Sequence, residues 1–163
     1  MSLNHKKYIL TETVISAGIN GAFSFMFARQ VFAEQSTIDP SALIIDAIPQ
    51  TLFVVFFSAF VPTFFTRRRL NQGKLQPLPM RMHRWPRHAL LRGLYAAVLL
   101  TLISTIIHWV VFQFQNLNAI PYQIMLLYKI LYGVLLSVLV TRWALTLSLS
   151  EYSENQPVNN ETV

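Results

Sequence analysis

Six side chains that can carry charge lie within or beside long apolar runs of this chain: Glu12, Asp46, Arg92, His108, Lys129 and Arg142, with the uncharged amides Asn20 and Gln50 among them. Charge inside a hydrocarbon layer is costly, so such residues pair with one another or work on a solute or proton. Measured from the outer ends of the apolar runs, Asp46, Gln50, His108 and Lys129 fall in one layer. That depth predicts a salt bridge between Asp46 and Lys129, with His108 near enough to join. Glu12 falls at the opposite level, with Arg92 and Arg142 as its expected partners. Asn20 lies between the layers. A carboxylate that exchanges a basic partner for a proton is the chemistry of an ion-coupled carrier, because burial and a paired charge oppose each other. Broken or unbroken, such pairs also serve structure alone, since removing one partner orphans the other.

Helical spacing adds a row of small and hydroxyl residues to each run. Glu12, Ser16, Asn20 and Ser24 recur every fourth position, with Ala17 and Gly21 beside them. Asp46 and Gln50 repeat that interval, and so do Lys129, Gly133, Ser137 and Thr141. Ala97, Thr101, Ser104, Thr105 and His108 share a face of the third run. Residues at this interval line one helix face. Small residues let membrane helices approach closely and hydroxyls bond across the contact. Ser16, Ala17, Gly21, Gly133 and Ser137 are therefore expected as packing positions. The Ser16–Asn20 and Ala17–Gly21 steps are suited to a dimer seam.

Other chemistry finds little footing. Ser104 and His108 share a face, but a triad is defined by geometry, and spacing on one helix does not establish it. His5, His83, His88 and His108 are scattered, without a metal-ligand motif. No nucleotide-binding loop is present, and no catalytic residue, metal or other cofactor is expected. Cysteine is absent, which excludes disulfides and thiolate sites.

The elements that position these residues follow from composition. Of 163 residues, 53% are hydrophobic and 12% charged, about half the charged share of a soluble domain. Four apolar runs, at about residues 8–27, 42–65, 89–112 and 122–146, each suffice to cross a hydrocarbon core about 30 Å thick. The expected fold is all-α: a polytopic bundle of four transmembrane helices in residues 1–149, with a polar tail over 150–163. The first run is too long for a signal-peptide core and carries Glu12 and Asn20, so it is read as a retained span.

Residues 66–88 join the second and third runs. This segment holds Arg67, Arg68, Arg69, Lys74, Arg81, Arg84 and Arg87 and no acidic residue. Under the positive-inside rule it is cytoplasmic, and four crossings then place both termini cytoplasmic. These seven residues are expected to orient the chain and meet anionic headgroups. The same placement explains the net charge of +6 without nucleic acid. The expected location is a bacterial inner membrane. Span two ends in FFTRRRL and span four passes through LVTRWAL, a shared Thr-Arg step consistent with a parallel repeat of two hairpins.

A start with Lys6 and Lys7, followed by Glu12 inside the first of four spans, resembles the proteobacterial antimicrobial-compound efflux family of small four-span multidrug exporters. In that family each two-helix half repeats an acidic motif. The likeness covers Glu12 and the span count; Arg92 stands where a second acidic copy would sit. Together these readings predict a small-solute or ion-coupled transporter acting as a homodimer. The competing expectation is a non-enzymatic assembly or regulatory subunit that binds a membrane partner protein.

Overall fold

Four helices account for most of the described residues in the computed structural model, which describes residues 3–33, 35–78, 85–86, 88–115 and 119–151. They are α1 (Leu3–Phe32), α2 (Pro40–Asn71), α3 (Ala89–Gln115) and α4 (Tyr122–Glu151). At 1.5 Å per residue, even the 27-residue α3 is about 40 Å long. Each helix therefore outruns the apolar core of a bilayer and reaches the headgroup level. All four are long and apolar enough to span. The all-α membrane bundle expected from the sequence is the architecture observed.

The helices extend past the apolar runs because a helix needs no hydrophobic residue to continue. α1 begins at Leu3 and runs through His5, Lys6 and Lys7. α4 continues through Leu147, Ser148, Leu149 and Ser150, all buried, to Glu151. Residues 150 and 151 thus belong to the bundle rather than to a tail; 152–163 lie outside the described residues.

α2 starts sharply. Asp39 caps it, its Oδ1 accepting from the Ser41 N–H and the Ser41 hydroxyl, each at 2.8 Å. Those bonds, the backbone one first, hold the Asp39 carboxyl below its ordinary range. Pro40 follows at the first helical position, where its missing N–H costs nothing. The helix continues through Pro49 and Pro62.

Packing is asymmetric. α2 and α4 lie against each other; α1 packs on α4, and α3 packs on α2. The central α2–α4 contact therefore carries α1 on its α4 side and α3 on its α2 side, and the backbones of the consecutive helices within each half, α1 with α2 and α3 with α4, approach little. Burial supports a repeat about that contact. Laid over each other, Ile9, Thr13, Asn20, Ser24 and Ala28 of α1 fall on Gly93, Ala97, Ser104, His108 and Phe112 of α3. Leu43, Ala47, Thr51, Val55, Ser58 and Ala59 of α2 fall on Met125, Lys129, Gly133, Ser137, Val140 and Thr141 of α4. Every position in these rows is buried or half-buried. In this register Thr66 meets Ser148, so the shared Thr-Arg step is not the matching one.

The two connections distant from the basic segment form a short antiparallel ladder, β1 (Thr37–Ile38) with β2 (Ile120–Pro121). Ile38 and Ile120 pack there on Ala28, Phe32, Leu43 and Met125. At the other end Ile9, Leu70, Leu145 and Leu149 cluster, and the Leu78 N–H donates to Leu149 O at 2.9 Å. The start of α1 and the end of α4 thus lie on the side of the basic segment. Outward faces are apolar, as at Ile19, Phe53, Ile106 and Leu135.

Glycine placement tests this packing. A Cβ at Gly133 would stand 2.2 Å from Ser24 Oγ, whereas one at Gly18 meets nothing within 4 Å. Gly133→Leu is expected to cost about 1–3 kcal/mol through overpacking. Gly18→Leu should stay within about 0.5 kcal/mol of the parent. Unfolding of the two variants in detergent compares them directly.

Candidate functional site

The contact between α2 and α4 carries polar side chains along its length, joined by residues from α1 and α3. At the end near the ladder, Asp46 of α2 forms an ion pair with Lys129 of α4. Lys129 is 2% exposed, and its ammonium also lies 5.2 Å from the centre of the Phe32 ring. Gln50, one turn from Asp46, donates to Lys129 O at 3.1 Å and to Ser24 Oγ at 3.0 Å. Gly133 leaves the space that Ser24 occupies. The pair is therefore enclosed by an aromatic face, an amide and a hydroxyl.

His108 does not join this pair. Its Nδ1 lies 2.7 Å from Ser104 O. A carbonyl only accepts, so Nδ1 carries the proton and Nε2 accepts from the Tyr128 hydroxyl. Tyr132 OH links Ser104 Oγ and Thr51 Oγ1, each at 2.6 Å. His108, Tyr128 and Tyr132 form a ring cluster between α3 and α4. Every hydrogen-bonding nitrogen of this histidine is engaged within the protein.

Midway along the bundle, Asn20 Nδ2 lies 3.0 Å from Ser137 Oγ and 3.3 Å from Ser58 Oγ. Ser16 and Ser137 hydroxyls are 2.9 Å apart, and Thr141 donates to Ser16 Oγ at 2.9 Å. Ser58 donates to Ser137 at 3.1 Å. Three helices thus meet through direct hydrogen bonds. Among the described residues, Thr101 Oγ1 is the buried side-chain polar atom left without a partner.

Near the basic segment the row ends in charge. Ser148 donates to Thr63 Oγ1 at 3.1 Å. Arg92 is fully buried and places its guanidinium on Glu151, 2.5 Å from Oε2, and on Pro86 O at 3.0 Å. Arg67 meets the same Glu151 oxygen at 3.1 Å. This shared carboxylate joins α2, α3 and α4.

Several sequence expectations change here. Glu12 pairs with Arg69 at 3.1 Å, not with Arg92 or Arg142. The reason is topological: α1 and α3 lie on opposite sides of the α2–α4 contact, so Arg92 faces α4 instead. Arg142 is exposed on α4. Ser16, Asn20 and Gly21 face inward, and a Cβ at Gly21 would stand 3.0 Å from Val134. They therefore build the interior rather than a dimer seam; Ala17 is half-buried beside them. Arg68, Arg69 and Lys74 are exposed, whereas Arg67 is half-buried. Arg81, Arg84 and Arg87 lie outside the described residues. Glu151, Thr51, Tyr128 and Tyr132 were missed. The four-residue step from Tyr128 to Tyr132 is the sequence signal for the two tyrosines.

Neither a family model, nor a curated protein, nor a solved structure matches this chain. The likeness to small four-span exporters therefore remains one of layout. The fold and its apolar faces define a multi-pass integral membrane protein.

The ion pair gives a direct test. Asp46→Asn should destabilise the bundle by about 3–5 kcal/mol, because it orphans the buried Lys129 ammonium, and Lys129→Met by less, because the Asp46 carboxylate it leaves is half-buried. The double variant should recover much of that loss. A double-mutant cycle from unfolding in detergent measures the coupling.

Proposed function

We propose that this protein is an ion-coupled carrier of a small solute, with Asp46 and Lys129 as the coupling pair. One observation supports this above others: a buried acid–base pair stands at the head of a row of hydroxyls and amides that runs along the bundle. Intramembrane charge of this kind marks solute and proton paths. In this reading, protonation of Asp46 releases Lys129 and loosens the hold of Gln50 on the Lys129 carbonyl. The α1–α4 contact then opens beside Gly133. Glu12 with Arg69, and Glu151 with Arg67 and Arg92, close the opposite end. The residues bind and gate; no bond-making chemistry is assigned to them.

The basic segment faces the cytoplasm of a bacterial inner membrane in this scheme, by the positive-inside rule. Two copies act together, since four closely packed helices give little room for a solute path within one chain. With Ser16, Asn20 and Gly21 turned inward, the two copies in this scheme meet through other, apolar faces.

A second reading has its own support. The hydroxyls at Ser16, Ser58, Ser137 and Thr141 bond to one another directly. A row closed in this way can serve as adhesive only, in a membrane subunit that assembles with or regulates a partner protein.

Liposomes separate the two. Purified protein reconstituted with a pH-sensitive dye inside should dissipate an imposed proton gradient when a transported solute is supplied, screened across small ions and organic solutes. The Asp46→Asn/Lys129→Met double variant, in which the fold recovers, should lack coupled flux, while Gly18→Leu retains it. Absence of flux for every solute, with a membrane protein co-purifying stoichiometrically, would favour the subunit reading.

A further inference from the structure

The end of α2 beside the basic segment holds an open cleft of about 270 Å³, lined by Phe65, Arg68, Arg69, Gln72 and Lys74. Its size falls below that of pockets which enclose drug-sized ligands, about 300–1,000 Å³. Local chain geometry builds it. Lys74 N–H donates to Arg69 O and Gly73 N–H to Leu70 O, each at 2.9 Å. Gly73 takes φ of 68°, the left-handed conformation that ends a helix in this pattern. The turn carries Lys74 back beside the last helical turn, next to Arg68 and Arg69.

Arg69 is held in place from two sides. Glu12 binds it at 3.1 Å, and its guanidinium lies 5.1 Å from the centre of the Tyr8 ring. Glu12 offsets one of the three cations. Among the described residues, Arg68 and Lys74 have no carboxylate partner. The cleft thus retains an excess of two positive charges, with the Gln72 amide beside them. Its remaining wall is Phe65, which is exposed together with Phe64 and Val61 toward the apolar face of α2. Cations above and aromatic side chains below match the boundary between phosphate and acyl chains.

We infer that this cleft binds the phosphate of one anionic phospholipid, with its acyl chains along Val61, Phe64 and Phe65. Inorganic phosphate offers the same oxygens. The lipid is the better fit because one wall of the cleft is a phenyl ring that continues into the lipid-facing surface. This inference is independent of the transport reading. It distinguishes a formed site from the diffuse attraction of a basic segment, which would need neither the Gly73 turn nor the Arg69–Glu12 bond.

Native mass spectrometry of the full chain in detergent tests it, with phosphatidylglycerol, phosphatidylcholine of the same acyl chains, and inorganic phosphate as probes. Phosphatidylglycerol should bind with one-to-one stoichiometry and about tenfold more tightly than phosphatidylcholine. Arg68→Gln with Lys74→Gln should remove that preference. Lys6→Gln with Lys7→Gln, an equal loss of charge elsewhere, should preserve it. Gly73→Pro keeps every charge but breaks the turn, and should weaken the preference as well. Circular dichroism verifies the fold of each variant. Should the double variant fail to fold, Lys74→Gln alone, outside the helix, is read in its place. Equal binding of the two lipids, equal losses from the Arg68/Lys74 and Lys6/Lys7 variants, or full replacement of the lipid by inorganic phosphate would overturn the inference.

Discussion

The contact of α2 with α4 is the constraint on which the bundle depends. Lipid offers polar groups no partner, so those within the spans must satisfy one another. Ser58, Ser137 and Thr141 do this across the two helices, and Ser16 and Asn20 of α1 complete the set. Such interhelical bonds are worth about 0.6 kcal/mol each on average in a membrane. Their effect here is less to add strength than to fix which faces meet and at what height. A slip of α4 by one turn would leave several hydroxyls and Lys129 without partners at once.

Charge refines the same arrangement at both ends. Lys129 is bound to Asp46 near the β1–β2 ladder, and Arg92 to Glu151 near the basic segment. The first crosses the α2–α4 contact; the second ties α3 to α4, and Arg67 on the same carboxylate brings in α2. The ladder ties the two halves at one end, and the Leu78–Leu149 bond does so at the other. Repeated burial in α1 and α3, and in α2 and α4, gives this scaffold near two-fold character. The polar content departs from that symmetry. Gln50 of the first half corresponds to Tyr132 of the second, and Ala47 to Lys129. The ion pair therefore has no counterpart on the other side, which gives the two halves different chemistry on a similar frame.

Much of this was legible in the sequence, for a simple reason. Apolar length and helical spacing are local properties, so the four spans and the inward rows through Asn20, Ser137 and Gly133 could be read directly. Depth along a helix is nearly local too, which is why Asp46 and Lys129 could be matched. Which helices adjoin is not local. Depth alone offers Glu12 either Arg92 or Arg142, and the placement of α1 away from α3 gives it Arg69. Glu151 escaped because it follows the apolar run, although α4 continues through it. The ladder escaped because two-residue strands leave no periodic signal.

Cross-linking inside one chain tests the central contact most directly, and the lack of native cysteine makes it clean. Ser58 and Ser137 hydroxyls lie 3.1 Å apart, buried between α2 and α4. The Ser58→Cys/Ser137→Cys variant, oxidised in membranes, should form a disulfide within the monomer and migrate faster without reductant. Covalent dimers in its place, or free thiols throughout, would contradict a polar contact closed within a single bundle.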